Sequence, residues 1–459
     1  MSTMELKEVI PFEYSHVHSF SEGLALVCND DKWGFIDKTG TLIISCEKYN
    51  VPTDNHYPFS LFGTGFREGL AAVSAKVDDS RKYGFIDKSG NEVIPLKYDI
   101  VRDFSCGIAI VGIADKNLKT DSYGALGCKW GAINKNGDEI IPIGKYKSVG
   151  CYGWRDYCRD NPGVSGTTSD RMDRKYYEEM TSVFVCSNNN DSPKYGFADI
   201  LGNEVVPPIY TGVNRFHNGL SSIEVIDHKK TGPVITKAAV IDKTGEIVIP
   251  FKYQRIDSFY DEITVAHNWN PYETFFVSKK GNQPFPLKYH GAYAFHEGMA
   301  EVYSGTDSKY KHGFIDINGQ EIVPCKYDNV GSYYDSIAIV GMGDYWYGMK
   351  GAVDKQGREF IPCKYNHVKQ LRHGFVAACI ERRKKRNNLN CLVESKWGIF
   401  DKFSNEIVPL IYDNVYWFCE GMAAVKKKGK WGFIEKSYGG KEYVVQESSL
   451  LSGTDNDDC

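Results

Sequence analysis

The chain of 459 residues has no run near the roughly 18 consecutive apolar residues that a membrane-spanning helix needs. Its opening stretch, MSTMELKEVIPFEY, has none of the apolar core of a secretory leader, so a cytoplasmic location is expected. It also lacks a dominant charge. Lysine plus arginine number 55 against 59 aspartates and glutamates, for a net charge of −4. That balance gives no bulk attraction to nucleic acid or an anionic membrane, and neither is expected as a partner. Thirteen cysteines are present, yet no two form a Cys-x-x-Cys pair, which removes the usual zinc and redox signatures. Their number is odd and they keep no fixed place in the repeat described below. Cys28, Cys106, Cys186, Cys325, Cys363 and Cys419 read as reduced, partly buried thiols. G-x-S-x-G, H-E-x-x-H and a phosphate-cradling glycine loop are all missing, so no cofactor is expected and no catalytic residue can be nominated.

What the chain does have is aromatic residues, at 14%, and 45 glycines, a pairing that suits many short strands and tight turns. KWGFIDKTGTLIISCEKYN from Lys32 is repeated as KYGFIDKSGNEVIPLKYD from Lys82 and KHGFIDINGQEIVPCKYD from Lys311. With the aromatic-glycine dipeptide as phase marker, ten copies begin at Trp33, Tyr83, Trp130, Tyr195, Ala238, Thr274, His312, Lys350, Trp397 and Trp431. The copies are 34 to 65 residues apart, but the marker lies 15 residues before a tyrosine in seven of them and 16 in two. That tyrosine is followed six residues later by an aromatic or a leucine, as in Tyr98 to Phe104 and Tyr365 to Leu371.

Each element of the repeat has a plain physical reading. WGFID and EVIP are short strands of β-branched and aromatic residues. The intervening DKTG or DKSG suits a type I turn closed by a glycine. The proline after EVI, as at Pro95, Pro142 and Pro324, is expected to end ladder pairing. FSEGLALV at Phe20 reads as a third strand with a glycine bend. A three-stranded unit buries no core alone, so the copies must stack.

KWGFIDKTG, IPLKYD and FSEGLA together resemble the WG (KWG) repeats, a β-rich repeat family found mainly in bacteria. The resemblance runs from about Val9 to Lys436. Ala238-Ala239, Thr274-Phe275, Lys350-Gly351 and Ser404 depart from its pattern. The family resemblance implies a binding or interaction module.

The fold class expected is all-β, a tandem array of about ten three-stranded antiparallel units over residues 1–436. An open, curved, superhelical array is expected from the unequal spacing; the alternative is a closed, propeller-like ring. The chain starts with the back half of a repeat and ends with the front half of one, which suits closure. Residues 437–459 are small, polar and acidic and are expected to be disordered.

Function is expected where the repeat varies, between the GLA strand and the next marker. Three segments stand out. The insert 151–180 carries Trp154, Arg155 and Tyr157, residue types common at interface hot spots. GMGDYWYGMKG groups Tyr345, Trp346 and Tyr347, a stacking platform if exposed and packing if buried. ERRKKRNNLN places Arg382, Arg383, Lys384, Lys385 and Arg386 in a row, an acidic-partner patch or a solvated turn. These residues nominate a non-enzymatic scaffold for a protein or peptide partner. The alternative is a carbohydrate-binding protein or hydrolase with a site on the concave or axial side, which would need Asp37, Asp87 and Asp316 freed from their turns. His16 and His18 face the same way on a strand, but no third metal ligand accompanies them and no metal is expected.

Overall fold

In the computed structural model the chain is described over residues 4–438, apart from 31, 46–64, 79, 116–127, 147, 150–179, 186–193, 228–234, 270, 307–308, 345–346, 372–373 and 387–388. The expected tail from 439 onward, with most of the 151–180 insert, therefore lies outside the described residues. Each repeat forms one antiparallel meander, and there are ten. Blade 3 is representative: Ile100–Val101, Ile108–Ala114, Cys128–Asn134 and Glu139–Tyr146 pair in that order.

Among the described residues eight of the ten sheets have four strands rather than the expected three, because FSEGLALV is not one strand. The chain reverses at Glu22–Gly23, with φ of 54° and 86°, both left-handed. Ser21 and Leu24 exchange backbone hydrogen bonds of 2.9 and 3.2 Å across this two-residue hairpin turn. Glu68–Gly69, Cys106–Gly107, Asn218–Gly219, Glu297–Gly298 and Glu420–Gly421 repeat the same pair of angles. The segment before the turn becomes the blade's short first strand.

The proline expectation also changes. Pro95 lies inside the strand Glu92–Tyr98 rather than after it. It falls where the ladder skips, since Phe85 pairs with Ile94 and Tyr83 with Tyr98, leaving Pro95, Leu96 and Lys97 bulged. This fourth strand is a sheet edge, so the missing N–H costs no ladder bond. The bulge explains the glycine of the marker. A Cβ on Gly84 would run into the Ile94 carbonyl and the Pro95 backbone, and Gly131, Gly196, Gly313, Gly351 and Gly398 meet the same obstruction. In blade 6, Pro284 and Pro286 stand close together and no fourth strand pairs there; Phe285, Leu287 and Tyr289 still pack on the core.

The ring is closed, so the open array gives way to the stated alternative. Met4–Tyr14 is the outer strand of the last blade and pairs antiparallel with Lys430–Tyr438, from Met4 opposite Tyr438 to Tyr14 opposite Trp431. Blade 10 is thus three strands from the C-terminal end and one from the N-terminal end. The C-terminal strand runs two residues past the expected limit of 436. Unequal spacing did not prevent closure, because in blade 9, for example, the extra residues lengthen one hairpin of the blade and leave its pairing order unchanged.

Ten apolar clusters hold the ring together, one between each pair of adjacent blades. Their recurring contact joins the phenylalanine of one WGF to the aromatic before the next blade's Glu-Gly turn. Phe35 meets Phe66 at 4.9 Å, Phe85 meets Phe104 at 4.8 Å, Phe314 meets Tyr333 at 4.8 Å, and Phe433 meets Phe20 at 5.0 Å. The six-residue step from tyrosine to aromatic is therefore the distance that delivers this ring to the neighbouring blade. Burying one such side chain contributes about 1.5–3 kcal/mol.

A polar clasp accompanies the rings. Glu22 of blade 1 accepts the Gly69 N–H of blade 2, Glu68 accepts that of Gly107, and Glu420 of blade 10 accepts that of Gly23. Each of these carboxylates also receives a lysine from the following blade's turn. The pairs are Lys88 on Glu22, Lys135 on Glu68 and Lys38 on Glu420, each at 3.0–3.1 Å. Glu297 does the same with the N–H groups of Asp335 and Ser336 and with Lys355.

Candidate functional site on the loop face

The meander sorts connections onto two faces. Links from first to second strand and from third to fourth lie on the clasp face. Links from second to third strand lie on the other, the loop face. These second-to-third links are the variable segments of the sequence.

The segments around Tyr347 and Arg383 lie there, on adjacent blades. Tyr347 belongs to the connection between Ile337–Met342 and Met349–Asp354 of blade 8 and is 73% exposed. The Tyr347 ring is thus exposed rather than packed between repeats. Tyr345 and Trp346 lie outside the described residues. In blade 9 the basic run is not a loop. Val376–Arg386 and Leu389–Phe400 form one long hairpin, with Arg382 opposite Glu394 and Arg383 opposite Leu392. Strand alternation splits the cations between the hairpin's two sides. Arg382 sits 3.7 Å from Glu394, and Arg383 sits 2.7 Å from Glu381. Burial pushes the Glu381 carboxyl up, but Arg383 and His367 outweigh it and hold it below the usual range. Lys384 is exposed, and Lys385 and Arg386 are placed on the strand. Ile380, Leu392 and Val393 are exposed on the same hairpin, so cations and apolar side chains project together. Arg383 then crosses to blade 8, its guanidinium 5.6 Å from the centre of the Tyr347 ring.

Trp154, Arg155 and Tyr157 lie outside the described residues. The strands flanking their segment, Ser148–Val149 and Met180–Val185, are the first and second of blade 4, so that connection starts and ends on the clasp face.

The carboxylates that a hydrolase reading needs are engaged by their own turns. Asp37 Oδ1 accepts the N–H groups of Thr39 and Thr41 at 2.9 and 3.0 Å. Asp87 does so with Ser89 and Asn91, and Asp316 with Asn318 and Gln320. The Thr39 hydroxyl bonded to Asp37 and the Asn91 amide bonded to Asp87 hold both carboxyls below the usual range. His16 and His18 lie against the Trp33 ring, 6.1 and 6.3 Å away. Among the described residues no group of three metal-ligating side chains forms. Lys97, Lys252, Lys326 and Lys364 extend over the rings of their own neighbouring tyrosines at 4.9–5.4 Å.

Blades 6 and 7 hold residues that the repeat reading passed over. Trp269 and Tyr272 face each other across the end of the hairpin Ile263–Trp269/Tyr272–Ser278, 48% and 53% exposed. In blade 7, Glu301 and His312 are hydrogen-bonded at 2.7 Å beside Tyr293, Tyr303 and Tyr310. A column-by-column alignment of the blades would have found them, because Glu301 stands where other blades carry small or apolar residues.

Ten antiparallel meanders, the last completed by the chain's first strand, define a ten-bladed β-propeller. The WG containing repeat matches at residues 5–33, 33–50, 83–116, 130–153, 195–225, 240–266, 275–305, 313–346, 351–382 and 397–431, and the chain belongs to that family. No curated protein matches the chain. Among solved structures it is similar to a eukaryotic initiation factor at 9% identity and TM-score 0.43, covering 88% of this chain and 96% of that one. It is also similar to dipeptidyl peptidase 4 of Porphyromonas gingivalis at 9% identity and TM-score 0.35, covering 80% and 65%. The β-propeller domain of the Trilobed protease of Pyrococcus furiosus gives 8% identity and TM-score 0.30, covering 75% and 94%.

Proposed function

We propose that this propeller is a non-enzymatic scaffold that engages a protein or peptide partner through the loop face of blades 8 and 9. The observation that carries the reading is the Arg383–Tyr347 contact, which joins the blade 8 connection to the long hairpin of blade 9 in one exposed surface. Tyrosine and arginine are the residue types that dominate interface energetics when a partner covers them. Exposed Ile380, Leu392 and Val393 supply apolar area beside them, and Lys384 adds positive charge. A partner segment with apolar and acidic side chains fits that chemistry. The engaged carboxylates of Asp37, Asp87 and Asp316 favour this reading over the hydrolase.

The test uses the full chain as bait, beside a Tyr347→Ala/Arg383→Ala variant of equal melting temperature. Mass spectrometry of the captured proteins should show a partner enriched by the parent and lost from the variant. Equal capture by both removes the proposal.

A further inference from the structure

Only the base of the long blade 9 hairpin belongs to a sheet. Val376–Arg386 pairs with the blade's first strand through residues 376–379 alone. Leu389–Phe400 pairs with the fourth strand through Trp397, Ile399 and Phe400. Beyond that base the two strands pair only with each other, from Ile380 opposite Lys396 to Arg386 opposite Leu389. They form a two-stranded ribbon on the loop face that is about 23 Å long at the usual rise per residue.

Such a ribbon presents backbone N–H and C=O groups along both edges, and two strands alone are marginal in water. The two edges differ. On the inner edge the Glu381 N–H is already accepted by Asn366 Oδ1 at 2.8 Å, and that strand carries Arg382 to Arg386 in a row. The outer edge, residues 389–396, has no strand beside it among the described residues. Leu392 and Val393 are exposed there, at 54% and 46%. Arg383 stands opposite Leu392, so the two share the ribbon face that meets Tyr347, while Arg382 and Glu394 share the other.

Charge selects what can lie along that edge. Residues 380–396 hold six lysines and arginines against two glutamates, in a chain whose net charge is −4. The strands of a sheet are about 5 Å apart, so these cations act on a third strand within roughly one Debye length. A second copy of the hairpin would set like charge against like, whereas an acidic strand is attracted.

We propose that the outer edge of this ribbon takes up an extended acidic segment of a partner protein as a third β-strand. Backbone hydrogen bonds along residues 389–396 hold the segment, its apolar side chains lie beside Leu392 and Val393, and its carboxylates answer the cations. The proposal rests on the reading of blades 8 and 9 as the partner surface and gives the form in which the partner binds.

The probe is a fluorescent synthetic decapeptide alternating valine with glutamate, titrated with the full chain and read by anisotropy. It should bind saturably, and its counterpart with lysine for glutamate should not. Two further versions carry N-methyl groups on one or the other set of alternate amides. One set should weaken binding by about tenfold or more and the other should leave it nearly intact, because an added strand uses only one of its edges. Replacing residues 382–394 by Asn-Gly closes the hairpin on the Glu381–Ser395 pair, and should abolish binding while the ring melts as before. No binding, equal effects of the two methylated sets, equal binding of the lysine peptide, or binding that survives the shortened hairpin overturns the proposal. So does binding that appears only once residues 439–459 are removed, which would give the edge to the chain's own tail. Self-association that the shortened hairpin abolishes would give it to a second copy, with the same consequence. Any of these results beside partner capture that still depends on Tyr347 and Arg383 removes the strand addition and leaves the surface reading in place.

Discussion

The carboxylate of Glu22 accepts the backbone N–H of Gly69, 47 residues along the chain and one blade around the ring, at 3.2 Å for Oε1 and 3.0 Å for Oε2. Glu22 itself sits in the left-handed region at φ 54°, the first half of its own hairpin turn. One residue therefore turns its blade and ties it to the next.

Removing that carboxylate should be felt more than removing its lysine. Glu22→Ala leaves the Gly69 N–H without its acceptor and should cost about 1–3 kcal/mol in urea unfolding. Lys88→Ala breaks a partly exposed ion pair and should cost less than about 1 kcal/mol. Equal losses would contradict the hydrogen bond as the stronger half of the clasp.

The marker glycine should tolerate nothing larger. Gly84→Ala places a methyl against the Ile94 carbonyl and Pro95, backbone that cannot swing aside. A loss of about 2 kcal/mol or more is expected by denaturant melt. Gly69→Ala serves as comparison, since open space surrounds that position and only its φ of 86° opposes the change.

The repeat made blade number, marker phase, turn chemistry and family legible, because each is written in the spacing of Trp33, Asp37, Gly40 and their copies. Strand count was not legible. A two-residue turn at Glu22–Gly23 depends on φ at a glutamate, which no propensity favours. Closure was visible only as a phase coincidence between Val9–Tyr14 and Trp431–Glu435. The two loop-face segments were found as departures from the repeat, yet the sequence did not show that Arg383 reaches Tyr347. Glu301 was missed because attention to inserts overlooked substitutions inside the strands.

Acid should weaken the fold well above the range where carboxylates titrate. Burial holds His18, His217 and His296 down to about 4, from an ordinary 6.5. Between those values the unfolded chain binds more protons than the folded one, so stability falls as pH falls from about 6.5 toward 4. Above pH 7 the same groups are neutral in both states and contribute no slope. Thermal melts from pH 7.5 to 4.5 should show the decline, and His217→Phe with His296→Phe should flatten it. The turn aspartates Asp37 and Asp87, held below the usual range, act only further down, near and below pH 4.

The shared blade makes a sharp demand on the first strand. Without residues 1–14 the Lys430–Tyr438 strand becomes an unpaired edge. The truncated chain should elute as larger assemblies than the full chain under light scattering, and a synthetic peptide of residues 1–14 should restore the full chain's elution. A truncated chain that elutes as the full chain does would mean that the ring does not need its closing strand.

On the loop face, Tyr347→Ala and Arg383→Ala should each reduce partner capture, and the double variant should lose less than the sum of the two. That non-additivity is the signature of residues acting as one unit. Additive losses would place the two on separate contacts.

Closure has a mechanical meaning. A stack of repeats with two free ends flexes like a spring, each joint adding its own small angle to the next. A hoop allows no such drift, because an error at one joint must be cancelled by the other nine. Exposed Tyr347 of blade 8 and the clasp carboxylate of Glu22 in blade 1 are therefore held at a fixed span by the frame between them.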